Sequence, residues 1–155
     1  MMKEPAWKKV LSDFFEDIEV ISKCQQETLN DFDQFCEFIA EPAFESLADE
    51  LKKYKIKTKI KKAKDKNIAF QINFPSSSID NLTYIIYLPK NSIELKLKLR
   101  LKGRRSKNAL PETKEELFMP QVKAEELLKL PKEEIIQDVI EHYKNFIYQT
   151  LAELK

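Results

Sequence analysis

The chain has 155 residues, 43% of them hydrophobic and 34% charged, with 27 lysine and arginine side chains set against 26 acidic ones. That length and composition fit one globular domain able to bury a core without disulfides, and they exclude a disordered chain. A single glycine, Gly103, excludes the glycine-rich phosphate loop, the dinucleotide fingerprint and the nucleophile elbow, each of which needs more than one, and no apolar run approaches the roughly 18 residues of a membrane span.

The chain opens MMKEPAWKKV and enters an amphipathic pattern rather than an apolar signal core, so a reducing cytoplasm is the expected compartment. Trp7, Val10, Leu11, Phe14, Ile18 and Ile21 recur at steps of three and four, the spacing of one helix face. Pro5 suits the first turn, where its missing N–H is not needed. A second pattern runs through Leu29, Phe32, Phe35, Cys36 and Ile39, then Phe44, Leu47 and Leu51, with Pro42 predicting a kink or restart. Phe15 and Phe38 lie at the edge of these stripes or off them. Faces widened in this way are touched from two sides, by the core and by a neighbouring subunit. Asp13, Glu16, Asp17, Glu19, Asp31, Asp33 and Glu37 take the solvent faces.

At Tyr54 the period changes from 3.6 to 2. YKIKTKIK, NIAFQINF, NLTYIIYL and SIELKLKLRLK are four runs of strand length, separated by KKAKDKN, PSSSID and PKNS. Connections this short permit hairpins and forbid helical crossovers, so the strands form an antiparallel meander. Residues 103–130 mix prolines, charges and scattered hydrophobics, which reads as a surface arm with one short helix near Ala124–Leu128. Pro131 opens a last helix with a broad apolar face that includes Ile135, Ile136, Val139, Ile140, Tyr143, Phe146 and Ile147. The expected fold class is α+β in a single domain, 1–155. Two N-terminal helices (1–53) precede a four-stranded antiparallel meander (54–102), the arm (103–130) and a C-terminal helix (131–155), with the helices on one face of the sheet.

Parity then assigns the two faces. Ile56, Thr58 and Ile60 point inward with Ile68, Phe70, Ile72 and Phe74, with Leu82, Tyr84, Ile86 and Leu88, and with Ile93, Leu95, Leu97, Leu99 and Leu101. The outer face carries Lys55, Lys57, Lys59 and Lys61 on one side and Glu94, Lys96, Lys98, Arg100 and Lys102 on the other, with Ile85 and Tyr87 between them. Charge is segregated along the chain: 4 basic against 13 acidic side chains in 1–51, 17 against 3 in 52–107, and 6 against 10 in 108–155. A near-neutral total conceals a basic sheet beneath acidic helices. Lys55, Lys57, Lys59, Tyr87, Lys96, Lys98, Arg100 and Lys102 are therefore the candidate residues for an anion or an acidic partner, because lysines on adjacent strands can neutralise phosphates and a tyrosine offers a base a stacking surface. The same lysines also serve to keep a solvated sheet soluble and its edges unpaired.

Asp80 before one strand, with Glu94-Leu95-Lys96 on the next, resembles the acid and E-x-K that hold a divalent metal in the PD-(D/E)xK nucleases. The resemblance covers those three positions, and it implies two carboxylates sharing a metal beside a lysine that helps activate water. His142, alone of its kind, reads as an exposed helix histidine, and Cys24 and Cys36 lack the C-x-x-C spacing of zinc or redox sites. The leading expectation is a non-catalytic interaction protein without cofactor or membrane, contacting an acidic protein or a second copy of itself through the basic sheet face or the helical layer. Nucleic-acid binding by the lysine face comes second, and the nuclease third.

Overall fold

The computed structural model of the chain describes residues 5–73, 81–106 and 108–152. The fold is α+β, with helices at both ends and an antiparallel sheet between them. Helix α1 (Ala6–Phe35) runs through a π-helical turn (Cys36–Ala40) into α2 (Glu41–Lys52). There is no break at Pro42. Proline in a helix removes one hydrogen bond and crowds the carbonyl four residues back, and here the turn before it widens so that the Glu41 N–H donates to the Cys36 carbonyl. Such π turns absorb a local misfit without ending the helix, and the two helices expected from the sequence are one joined rod.

The rod ends where Ile56 N–H donates to the Leu51 carbonyl (3.1 Å) and Lys55 takes a left-handed backbone conformation at φ 62°. This closure normally uses glycine at that position. Strands β1 (Lys57–Ala63), β2 (Asn67–Asn73), β3 (Asn81–Tyr87), β4 (Lys98–Arg104) and β5 (Glu112–Leu117) follow, each antiparallel to the one before, in the order β1-β2-β3-β4-β5. A six-residue 3₁₀ helix (Ala124–Lys129) leads into α3 (Lys132–Ala152).

The sheet thus has five strands where hydrophobic alternation predicts four. ETKEEL, the sequence of β5, has no apolar alternation because it is an edge strand whose inner side faces α3 with Glu112, Lys114 and Glu116 in register with Gly103, Leu101 and Leu99. The 103–130 stretch is accordingly no surface arm. It begins inside β4, supplies β5, and buries Phe118, Met119, Leu127 and Leu130 in the core. Strand β4 begins at Lys98, opposite the last residue of β3, Tyr87, so residues 92–96 have no ladder to join and Leu97 keeps one bond, accepting from the Phe118 N–H (3.0 Å). Leu95 and Leu97 still reach the core from that connection, whereas Ile93, expected to point inward, is exposed. Phe74 lies outside the described residues.

Among the described residues, the C-terminal part of α1, α2 and α3 pack on the inner face. Phe44 of α2 stacks on Phe70 (5.0 Å between ring centres) and meets Tyr84 edge-on, while Phe35 of α1 meets Phe118. Ile135 and Val139 bring α3 into the same core. Gly103 sits under α3 so closely that a Cβ there would run into the Phe146 ring. A side chain at this position would force the Phe146 ring aside.

Candidate interaction surfaces

The outer face of the sheet has the parity expected of it and, among the described residues, carries no helix. Lys57, Lys59 and Lys61 of β1 and Lys98 and Lys102 of β4 are exposed, flanking a half-exposed strip that includes Asn67, Gln71, Thr83 and Ile85. None of its described residues is buried. Two of the eight candidate residues fall elsewhere. Lys55 is in the turn that closes α2, and Lys96 is on the β3–β4 connection, paired with Glu94 at 3.0 Å. Tyr87 and Arg100 are on the face but engaged with each other: the guanidinium lies 4.7 Å from the centre of the tyrosine ring. Glu115 of β5 accepts from both Arg100 (2.6 Å) and the Tyr87 hydroxyl (3.2 Å). The hydrogen bond from Arg100 holds the Glu115 carboxyl below the usual carboxylate range. A base stacking on Tyr87 would have to displace that arginine, so the ring is no open platform.

The three positions of the nuclease resemblance do not form a site among the described residues. Asp80 lies outside them, and Glu94 and Lys96 stand on an irregular connection rather than on a strand, exposed and bonded to each other.

His142 occupies a place that sequence reasoning missed. It is half-buried, not exposed, and forms part of a chain of polar groups linking α3 to β3 and β5. The Tyr84 hydroxyl donates to Asp138 Oδ2 (2.5 Å), His142 Nδ1 donates to the Asp138 carbonyl (2.8 Å) with Asp138 Oδ2 at 3.4 Å, and Nε2 donates to Glu116 Oε1 (2.6 Å). Hydrogen bonding to Asp138 raises the His142 pKa to about 9 against the opposing effect of burial. Burial is the largest influence on Asp138 and pushes its carboxyl up, but the hydrogen bonds from His142 and Tyr84 together outweigh it and leave the group lowered. Burial, with Asp138 beside it, lifts the Tyr84 hydroxyl well above its ordinary value. At neutral pH His142 is thus a cation with both nitrogens engaged, which leaves it no lone pair with which to accept a proton. It acts as a clasp at one end of a cleft of about 360 Å³ lined by Leu101, Gly103, Glu116 and Phe146. The missing signal was β5: without that strand nothing places Glu116 near α3.

The third surface is the first half of α1. Cys24 and Gln25 are the first half-buried residues of the helix and Thr28 the first buried one. Residues Ala6–Lys23 therefore project from the body as about 27 Å of helix, at 1.5 Å per residue. Trp7, Val10, Leu11, Phe14, Phe15, Ile18 and Ile21 share one side of this projection, and each is between 40% and 67% exposed. Their sequence pattern is that of a core face, but no core covers it. Phe15, placed at the edge of the stripe by its spacing, is exposed beside Phe14. Single exposed hydrophobics are ordinary on protein surfaces, whereas a contiguous patch of this size marks a contact surface.

No family model, no curated protein and no solved structure matches the chain. Among the described residues no helix is long and apolar enough to cross a membrane, and no group of three or more histidine, cysteine, aspartate or glutamate side chains could hold a metal ion.

Proposed function

We propose that this is a non-catalytic interaction protein of the cytoplasm that contacts its partner through the helical layer, with the apolar stripe on the projecting half of α1 as the contact. One observation carries the reading. The stripe is continuous along α1, buried from Thr28 to Phe35 by the chain's own core and open from Trp7 to Ile21. Leaving large apolar side chains in water forfeits roughly 1.5–3 kcal/mol for each one that burial would otherwise stabilise, so a protein displaying seven of them on one side of a helix gains most when another surface covers them. The test is photocrosslinking in the cells that make the protein, from a photoreactive residue at position 14, on the stripe, or at position 16, off it. Adducts of discrete mass from position 14 and none from position 16 support the reading, and equal or absent adducts refute it.

Nucleic acid on the outer face of the sheet is the second reading, favoured by Lys57, Lys59, Lys61 and Lys102. Among the described residues these have no ion-pair partner; the first three form a row on β1 and Lys102 stands about 14 Å from it across three strand spacings. Engagement of four phosphates predicts a slope of about −3.6 in log affinity against log salt for duplex DNA. Oligonucleotide titrations at two salt concentrations decide it, and binding that is absent or insensitive to salt removes the reading.

A further inference from the structure

We infer that the occupant of the α1 stripe is a second copy of this chain, the two projecting helices pairing antiparallel about a two-fold axis beside Phe14. The inference rests on the partner-binding reading above and names the partner.

The spacing of the stripe is the first reason. Trp7, Leu11, Phe14, Ile18 and Ile21 alternate steps of four and three, a period of 3.5 that keeps one seam facing a parallel or antiparallel helix along its whole length. The same alternation continues through Gln25 and Thr28 to Phe32 and Phe35, where the chain's own core covers it. The seam is thus a helix-packing surface throughout, and half of it lacks the second helix.

Charge selects the orientation. Lys8 and Glu19 lie on the same flank of the seam, beside Phe15, while Asp17 lies on the other flank, beside Val10. In an antiparallel pair like flanks face each other, so Lys8 of each copy comes level with Glu19 of the other on one flank and Val10 with Asp17 on the other, and the two-fold axis makes each contact twice. In a parallel pair unlike flanks meet, which sets Asp17 against Ser22 and Val10 against Phe15 and leaves no ion pair. The polar side of the projection carries Asp13, Glu16, Asp17 and Glu19 against Lys8, Lys9 and Lys23, the wrong sign for an anionic lipid surface.

Length and area agree with the same arrangement. The register that joins Lys8 to Glu19 lays residue 5 of one copy beside residue 22 of the other, so each helix begins where its neighbour's body starts. That shoulder is marked by the Gln25 side chain donating to the Asn91 carbonyl (3.5 Å). The whole projection is used and the two bodies stand at opposite ends of it. The exposed stripe offers on the order of 700 Å² per chain, close to the roughly 800 Å² per partner of a stable interface.

The experiment combines sedimentation equilibrium from about 1 to 200 µM with acrylamide quenching of Trp7, the only tryptophan in the chain. The expected mass rises to twice 18.3 kDa as Trp7 becomes shielded in step. Leu11→Glu/Ile18→Glu stays monomeric with an unchanged cooperative melt, because neither side chain touches the body. Lys8→Glu and Glu19→Lys each weaken association roughly ten-fold, and the double variant, which exchanges the charges within each pair, recovers most of the loss. A dimer in which Trp7 stays open to quencher, or a double variant as weak as the singles, overturns the proposal. So does a chain that stays monomeric throughout. Monomer with Trp7 open leaves the broader partner-binding reading standing, whereas monomer with Trp7 shielded at every dilution removes both.

Discussion

Raising the pH from 7 to 8.5 should destabilise this protein through His142. The ring holds its proton to about pH 9 in the folded chain, because Asp138 and Glu116 accept from its two nitrogens, against a value of 6.5 for an unconstrained histidine. A raised pKa means that the stabilisation is complete below pH 6.5 and is lost as the pH climbs through 9. Between those limits the folded state keeps one proton more than the unfolded state, so the unfolding free energy falls by up to 1.4 kcal/mol per pH unit, or roughly 2 kcal/mol from pH 7 to 8.5. Asp138 works in the opposite sense: its lowered carboxyl contributes above the unfolded value of 3.8 and loses that contribution on acidification. Urea unfolding at half-unit steps from pH 6 to 8.5 measures the slope. His142→Gln, which keeps a donor and removes the charge, should be less stable at pH 6.5 and nearly flat across the same range. Wild-type stability that does not change with pH, or a variant with the wild-type slope, would refute the assignment of a half-buried cation to this position.

Three further substitutions or reactions test local readings. Gly103→Ala should cost about 1–3 kcal/mol in the same unfolding assay, because the added methyl collides with the Phe146 ring; an unchanged midpoint would show that the ring turns aside freely. Lys55→Gly should stabilise by about 0.5–1 kcal/mol, the left-handed backbone penalty for a side chain less the extra freedom of glycine in the unfolded chain. Cys36 is buried, and burial pushes its thiol up to about 12, so a disulfide reagent at pH 8 should label Cys24 alone in the folded protein and both thiols in denaturant. Rapid labelling of two thiols under native conditions would count against the packing around Cys36.

Most of the sheet was legible because its strands are buried on one side only. Ile68, Phe70 and Ile72, like Leu82, Tyr84 and Ile86, alternate with half-exposed residues and all lie within 3% exposure on the inner face. Periodicity fails where the strand has no apolar side, as in β5, and where a run outlasts its partner, as at residues 92–96. It also reads straight through Lys55, which sits in the alternating text YKIKTKIK but closes a helix instead of joining a strand. The stripe of α1 shows a different limit. Trp7 to Ile21 and Phe32 to Ile39 share one pattern, yet only the second set is covered. A hydrophobic period states which side of a helix seeks burial and is silent on what buries it. For His142 the helix and the position were right, and the environment depended on Glu116 arriving from a strand that carries no pattern.

The two interaction readings occupy opposite sides of the molecule, and that separation gives them a joint consequence. The projecting half of α1 leaves from the helical layer, whereas the lysine rows of β1 and β4 face away from every helix, so pairing through α1 leaves both outer faces open. Two such faces at the ends of a paired rod would bind one long polyanion together, with the second contact made at a high effective concentration. An oligonucleotide too short to span both bodies gains nothing from the pairing. Affinity for a long oligonucleotide should therefore fall by about ten-fold or more in Leu11→Glu/Ile18→Glu, while affinity for a short one stays the same, as measured by anisotropy at fixed salt. Equal loss on short and long strands would mean that the stripe itself touches the nucleic acid. Loss on neither would mean that the two surfaces act independently.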